Sequence, residues 1–201
     1  MIKSKKPFGN YAFPKSRLSK FATPPEEDTD IEHDVDYYLR QHFKQGNGMP
    51  SFVVDELQNT LISGEYSDVI KEPNVSTVYR GMWVDGNWIM NLTNSNLLSK
   101  KGEFQTLFTF KPFKNQSSWS LDRQAAFTAA QTNFYDRPEE FDEGKTYIII
   151  LHAQLTQNKN KFISCPDGLY KLKYAAVFDS EKEAIGLGDI SVSKIDWEII
   201  S

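Results

Sequence analysis

Residues 117–135 read SSWSLDRQAAFTAAQTNFY, and the fold turns on how they are read. On an extended segment residues i and i+2 share a face, so Ser118 and Ser120 point one way and Trp119 the other. From Leu121 onward the stretch is alanine-rich, which predicts a helix over 121–135. Downstream, short β-type runs occur at 146–154 (TYIIILHAQ), 174–179 (YAAVFD) and 189–199 (DISVSKIDWEI). Upstream there are two more, at 77–83 (TVYRGMW) and 103–110 (EFQTLFTF), with a helical pattern at 92–99 between them.

Before Pro73 the character is helical. Residues 31–45 space Ile31, Val35, Tyr38, Leu39 and Phe43 at helical intervals and stop at Gly46 and Gly48. Residues 50–63 repeat the pattern through Phe52, Val53, Leu57, Leu61 and Ile62, between Pro50 and Gly64. Residues 1–30 differ again: a basic stretch (Lys3, Lys5, Lys6, Lys15, Arg17, Lys20) gives way to Glu26, Glu27, Asp28 and Asp30. Four prolines in the same stretch oppose regular structure, so it reads as a flexible or loosely docked arm. Helices first and strands later predict an α+β chain rather than alternating βαβ units. The expected organisation is the arm at 1–30 and one domain at 31–201, with a helical part at 31–72 and a β-rich core at 73–201.

Composition narrows the function classes. The 201 residues carry 39% apolar, 13% aromatic and 25% charged residues, the balance of a globular domain with an aromatic-rich core. A net charge of -4 does not favour nucleic acid as the main partner. The single cysteine, Cys165, allows no internal disulfide and no cysteine-built zinc cluster. His33, His42 and His152 are far apart, so no metal site is readable. The basic start has no apolar stretch behind it, and no run of 18 apolar residues occurs. A cytoplasmic protein without a membrane span is therefore expected. There is no Gly-x-Ser-x-Gly elbow and no Gly-x-Gly-x-x-Gly or phosphate-cradling loop.

Three motifs carry chemistry: Thr77-Val78-Tyr79-Arg80-Gly81, then Ser117-Ser118-Trp119-Ser120, then Glu181-Lys182-Glu183. Each has a plain structural reading when taken alone. Arg80-Gly81 would be a strand and turn, Ser120 an N-cap, and the acidic triplet a solvated turn. On an extended segment Glu181 and Glu183 would share a face, as Ser118 and Ser120 do. Buried together, one guanidinium, two hydroxyls and two carboxylates would need mutual pairing or a ligand.

The ordered set resembles the R-S-E signature of the arginine-type mono-ADP-ribosyltransferases, a family that includes bacterial toxins, vertebrate ectoenzymes and enzymes of tailed phages. The likeness covers about residues 75–200. It differs at Trp119, where the family often has threonine, and after Glu183, where Ala-Ile-Gly-Leu-Gly-Asp stands. The compact size and the absence of a secretion signal lean toward the phage branch, with a delivered bacterial effector as the alternative, and either would place the protein in a host cytosol. The resemblance implies a mixed or antiparallel two-sheet core that takes NAD as substrate, without metal, and passes ADP-ribose to a partner protein.

It also implies roles. Glu183 would be the catalytic carboxylate on the ribose, Ser118 would hold Glu183 or that ribose, and Arg80 would bind an NAD phosphate. Gly81 would let the backbone approach the nicotinamide carboxamide, and Ser120 would be a supporting residue or a helix cap. Glu181 would read the acceptor, and glutamate at that place goes with arginine as the modified side chain. Phe127 or Phe178 could stack on the nicotinamide or on the target, core packing being the plain alternative for each. An NAD glycohydrolase and a catalytically silent binding module of the same fold are the competing readings.

Overall fold

The computed structural model describes residues 51–64, 67, 70–112, 115–135, 146–165 and 182–200. In chain order these form helix α1 (Ser51–Ser63), strand β1 (Thr77–Asp85), helix α2 (Gly86–Thr93), strands β2 (Lys101–Phe110) and β3 (Gln116–Ser120), and helix α3 (Arg123–Tyr135). Strand β4 (Thr146–Gln154), a 3-10 turn at Leu155–Gln157, and strands β5 (Phe162–Ser164), β6 (Glu183–Leu187) and β7 (Ile190–Ile199) follow. The described chain mixes helices with an antiparallel sheet, the α+β class its sequence predicts. The arm at 1–30, the helix read at 31–45, the strand read at 174–179, Phe178 and Glu181 lie outside the described residues. No helix among the described residues is long and apolar enough to cross a membrane.

One helix sits elsewhere than the sequence suggests. The pattern at 92–99 predicts a helix there, yet the helix is α2 at Gly86–Thr93. Its start is fixed by Asp85, whose side chain accepts a hydrogen bond from the Asn87 N–H at 2.7 Å. Its end is fixed by Asn94, a left-handed residue with φ 53° whose N–H reaches Met90 O. Capping chemistry thus overrides an apolar spacing that continues past the stop.

The strands form one seven-stranded sheet in the order β2-β7-β4-β1-β3-β6-β5. Strand β4 lies between β7 and β1 and is buried on both faces, which is why its sequence is a continuous apolar run. Tyr147, Ile149, Leu151 and Ala153 enter the main core with Val78, Trp119, Phe162 and Ile195. Ile148 and Ile150 face the other way, onto Ala126 and Ala130 of α3. Complete burial of a side chain such as Phe162 contributes about 1.5–3 kcal/mol.

The two-sheet expectation is corrected to one sheet, and the physical reason is a single joint. Strand β1 pairs with β4 along its whole length but with β3 only at Tyr79↔Ser120. A flat sheet would set β2 and β3 about 19 Å apart, four strand spacings. Side chains stand roughly perpendicular to a sheet, so they do not bridge such a gap sideways. Yet the rings of Phe110 on β2 and Trp119 on β3 lie 5.9 Å apart, and the Arg80 guanidinium of β1 lies 5.4 Å from the Phe110 ring. The sheet therefore curls over its aromatic core, with the hinge of the curl at the β1–β3 joint.

Helix α3 begins where the motif 117–122 places it. The Asp122 carboxylate accepts from the Ala125 N–H at 2.9 Å, and the Ser120 hydroxyl accepts from the Asp122 N–H at 3.1 Å. Asp122 is thus the N-cap, and Ser120 shapes the turn that leads into it. The bond from the Ala125 N–H, aided by Lys182, holds the Asp122 carboxyl below the usual carboxylate range despite the opposing effect of burial. A lowered folded pKa means stability that is present above about pH 4 and lost as pH falls through the folded value. Asp122→Ala is expected to cost about 1 kcal/mol at neutral pH and less in acid. Denaturant midpoints at two pH values check this.

Candidate active site

Three of the sequence-predicted residues meet at the β1–β3–β6 joint. Ser120 lies opposite both Tyr79 of β1 and Glu183 of β6, and Ser118 lies opposite Ile185. The Ser118 hydroxyl donates to Glu183 Oε1. Arg80 Nη1 donates to the backbone carbonyl of Ser118 at 2.5 Å. The antiparallel β3–β6 register puts Ser118 and Glu183 on one face, and Arg80, one residue past Tyr79 and so on the other face of β1, reaches the Ser118 carbonyl beside the single β1–β3 pair.

The tryptophan that departs from the family pattern is accommodated as its strand position predicts. Trp119 points to the opposite face, is 2% exposed, and donates from Nε1 to the Ser117 hydroxyl at 2.7 Å. Phe110 and Phe162 meet it edge-on. Gly186 is part of this packing: a Cβ there would come within 2.7 Å of the indole nitrogen. The string Gly186-Leu187-Gly188 reads as a turn in sequence, but Gly186 and Leu187 belong to β6 and only Gly188, at φ 66°, turns the chain.

Electrostatically the site is tense. Glu183 is 3% exposed. Burial lowers the affinity of the Arg80 guanidinium for its proton, and the nearby Glu183 charge opposes that shift. Arg80 Nε is buried without a hydrogen-bond partner. A partly buried cation whose hydrogen-bond acceptor is a neutral carbonyl, and whose buried Nε–H has no partner, favours an added anion. Burial, with the Glu183 charge beside it, pushes the Cys165 thiol up, so this cysteine is no thiolate nucleophile near neutral pH.

The other candidates fall in different places. Gly81 lies on β1 against α3, where a Cβ would stand 1.9 Å from the Ala126 carbonyl oxygen. The close approach it permits on that face is the helix's. Beyond Tyr79, the β1 edge that faces β3 has no paired strand among the described residues. Phe127 is half-buried against the α3–β4 cluster and lines a cavity of about 450 Å³ with Arg123, His152, Lys194 and Asp196. The extended geometry assumed for Glu181 to Glu183 does not hold, because Lys182 has φ 44° and β6 begins only at Glu183.

A polar cluster in that cavity escaped the motif reading. Asp196 Oδ2 accepts from Arg123 Nε at 2.8 Å and lies 2.9 Å from His152 Nε2, and Lys194 Nζ stands 3.3 Å from Oδ1. A signal existed in sequence: Lys194, Asp196 and Glu198 alternate along a strand and so share a face. Burial lowers the His152 pKa, and its bond to Asp196 only partly restores it. Among the described residues no group of three or more His, Cys, Asp or Glu is placed to hold a metal ion. No family model, no curated protein and no solved structure matches the chain.

Proposed function

We propose that the chain is a mono-ADP-ribosyltransferase that cleaves NAD and passes ADP-ribose to a side chain of another protein, arginine being the favoured acceptor. The observation that carries the reading is the hydrogen bond from Ser118 to the buried carboxylate of Glu183, with Arg80 anchored on the same residue's carbonyl. The β3–β6 pairing sets Ser118 diagonal to Glu183, while Arg80, 38 positions away in sequence, reaches Ser118 outside the single β1–β3 pair. The R-S-E order of the motifs supports the same reading.

In this reaction the bond between nicotinamide and the ribose breaks, and nicotinamide leaves with the bonding pair. The ribose carbon develops oxocarbenium character, as in glycoside cleavage. Glu183 stabilises that charge and fixes the neighbouring hydroxyl, while Ser118 holds the carboxylate in one orientation. Arg80 answers a phosphate of NAD with its guanidinium fork. The edge of β1 past Tyr79, which has no paired strand among the described residues, is the part of β1 whose backbone groups would meet the carboxamide. An acceptor nitrogen then bonds to the ribose carbon and gives its proton to a base, the role assigned to Glu181 by the family likeness.

Purified protein incubated with NAD and a bacterial lysate should leave ADP-ribose on arginine side chains, read by mass mapping of adducts. Label found only in free ADP-ribose would make the protein a glycohydrolase, and no nicotinamide release at all would make it a silent module. Glu181→Ala is expected to keep NAD hydrolysis and lose transfer to protein. Parallel loss of both would assign Glu181 to the NAD step instead.

A further inference from the structure

We infer that Asp196 is a positioning residue for the proposed reaction: by gripping Arg123 at the start of α3, it sets where β3 presents Ser118. The inference rests on the ADP-ribosyl-transfer reading and extends it to a cluster that the motifs do not include.

Register places both clusters in one row. Directly opposed residues of paired strands share a face. Glu183 lies opposite Ser120, Ser120 opposite Tyr79, Tyr79 opposite His152, and His152 opposite Lys194. The row thus runs from the candidate carboxylate on β6 to the Asp196 neighbourhood on β7. Tyr79 and His152 touch edge-on, with ring centroids 5.0 Å apart.

The row has a weak link. β3 joins β1 through one residue pair only, so Ser118 and Arg80 are held in register by little backbone pairing. Helix α3 supplies the missing bracing. It follows β3 after only Leu121 and Asp122, and its first turn is tied on two sides. Toward β6, the Leu121 N–H reaches the Lys182 carbonyl at 2.8 Å and Lys182 Nζ stands 3.7 Å from Asp122. Toward β4 and β7, Arg123 is bonded to Asp196, which His152 and Lys194 also flank. Asp196 is 8% exposed, so the carboxylate end of this second tie is shielded from solvent, while its Arg123 end is half-exposed.

The charge balance keeps the tie closed at neutral pH. Burial alone would raise the Asp196 carboxyl, but Arg123 and His152 hold it below the ordinary carboxylate range. Loss of either end of the Arg123–Asp196 bond frees the start of α3. Ser118 then shifts against Arg80 and Glu183, and small misplacements of reacting groups are costly in rate.

The test uses the full chain with Asp196→Ala, Arg123→Ala and Glu198→Ala. The last removes the neighbouring Lys101–Glu198 pair, 3.2 Å across β2 and β7, which includes no residue of α3. Two measurements are made: kcat and KM for nicotinamide release, and amide hydrogen exchange over residues 116–122. Asp196→Ala and Arg123→Ala are expected to lower kcat about tenfold to a hundredfold with KM changed by less than about threefold. Exchange over 116–122 should rise in both, and Glu198→Ala should match the wild type in both measurements. If Asp196→Ala does not fold, Arg123→Ala alone decides, since its side chain is 44% exposed and its loss opens no large cavity. A folded Arg123→Ala with wild-type kcat and wild-type exchange overturns the inference. Should the wild type release no nicotinamide, the proposed function fails, and exchange alone then decides: raised protection loss at 116–122 upholds the mechanical tie, and unchanged exchange removes it.

Discussion

Glu183→Gln is expected to lower the rate of nicotinamide release from NAD at least about a hundredfold, the scale of losing one charge-stabilising group from a preorganised site. Glutamine has nearly the shape of glutamate and keeps an oxygen for the Ser118 hydroxyl. What disappears is the negative charge that faces the developing oxocarbenium ion. The carboxylate is 3% exposed, so water does little to screen it, and its loss is felt at close to full strength. Arg80 loses a nearby counter-charge in the same step, because the Glu183 charge is what opposes the effect of burial on its guanidinium. NAD binding through a phosphate should persist, since that contact needs only the guanidinium. The expected pattern is a collapse of kcat with a modest change in KM, measured on protein whose melting temperature confirms folding. Equal turnover by the two proteins would remove Glu183 from the chemistry and the proposed activity with it.

How much of this was legible in sequence differs from element to element. Strand β4 was read to its ends, because a strand buried on both faces is a bounded apolar run, 146–154. The strand-to-helix passage at 117–135 was legible from serine alternation followed by alanine-rich sequence. The α2 helix was misplaced because its limits depend on Asp85 and Asn94, whose capping role outweighs apolar spacing. The single sheet was not legible: one residue pair, Tyr79↔Ser120, stitches the strands together, and no local pattern announces one pairing. In the site, Arg80, Ser118 and Glu183 were legible only as an ordered set. Of the Arg123–Asp196–His152 cluster only the charged alternation along β7 was legible, since its members come from three elements that meet only in the folded chain. Gly81 was assigned to ligand approach from its neighbour Arg80, whereas the helix lying across it is a long-range fact.

That helix makes Gly81→Ala the second large effect, and one that does not depend on NAD. An added methyl would stand 1.9 Å from the Ala126 carbonyl oxygen and 2.9 Å from the Ala130 Cβ. The first contact is with backbone, so no rotamer relieves it, and α3 as a whole must lift from β1. The helix is braced at its start by Asp122 and Arg123, so the shift also strains those bonds. Overpacking of this kind is expected to cost about 3 kcal/mol, which for a chain of this size lowers the melting temperature by about 6–12 °C. Gly64→Ala is the instructive contrast. Gly64 has φ 72° with nothing within 4 Å of an added Cβ, so only left-handed strain of about 1 kcal/mol applies. A larger loss at Gly81, where the conformation is ordinary and the space is filled, identifies helix contact as the reason for that glycine. Comparable losses at the two positions would mean that α3 yields easily, and a helix that yields easily would not brace Ser118 against Arg80.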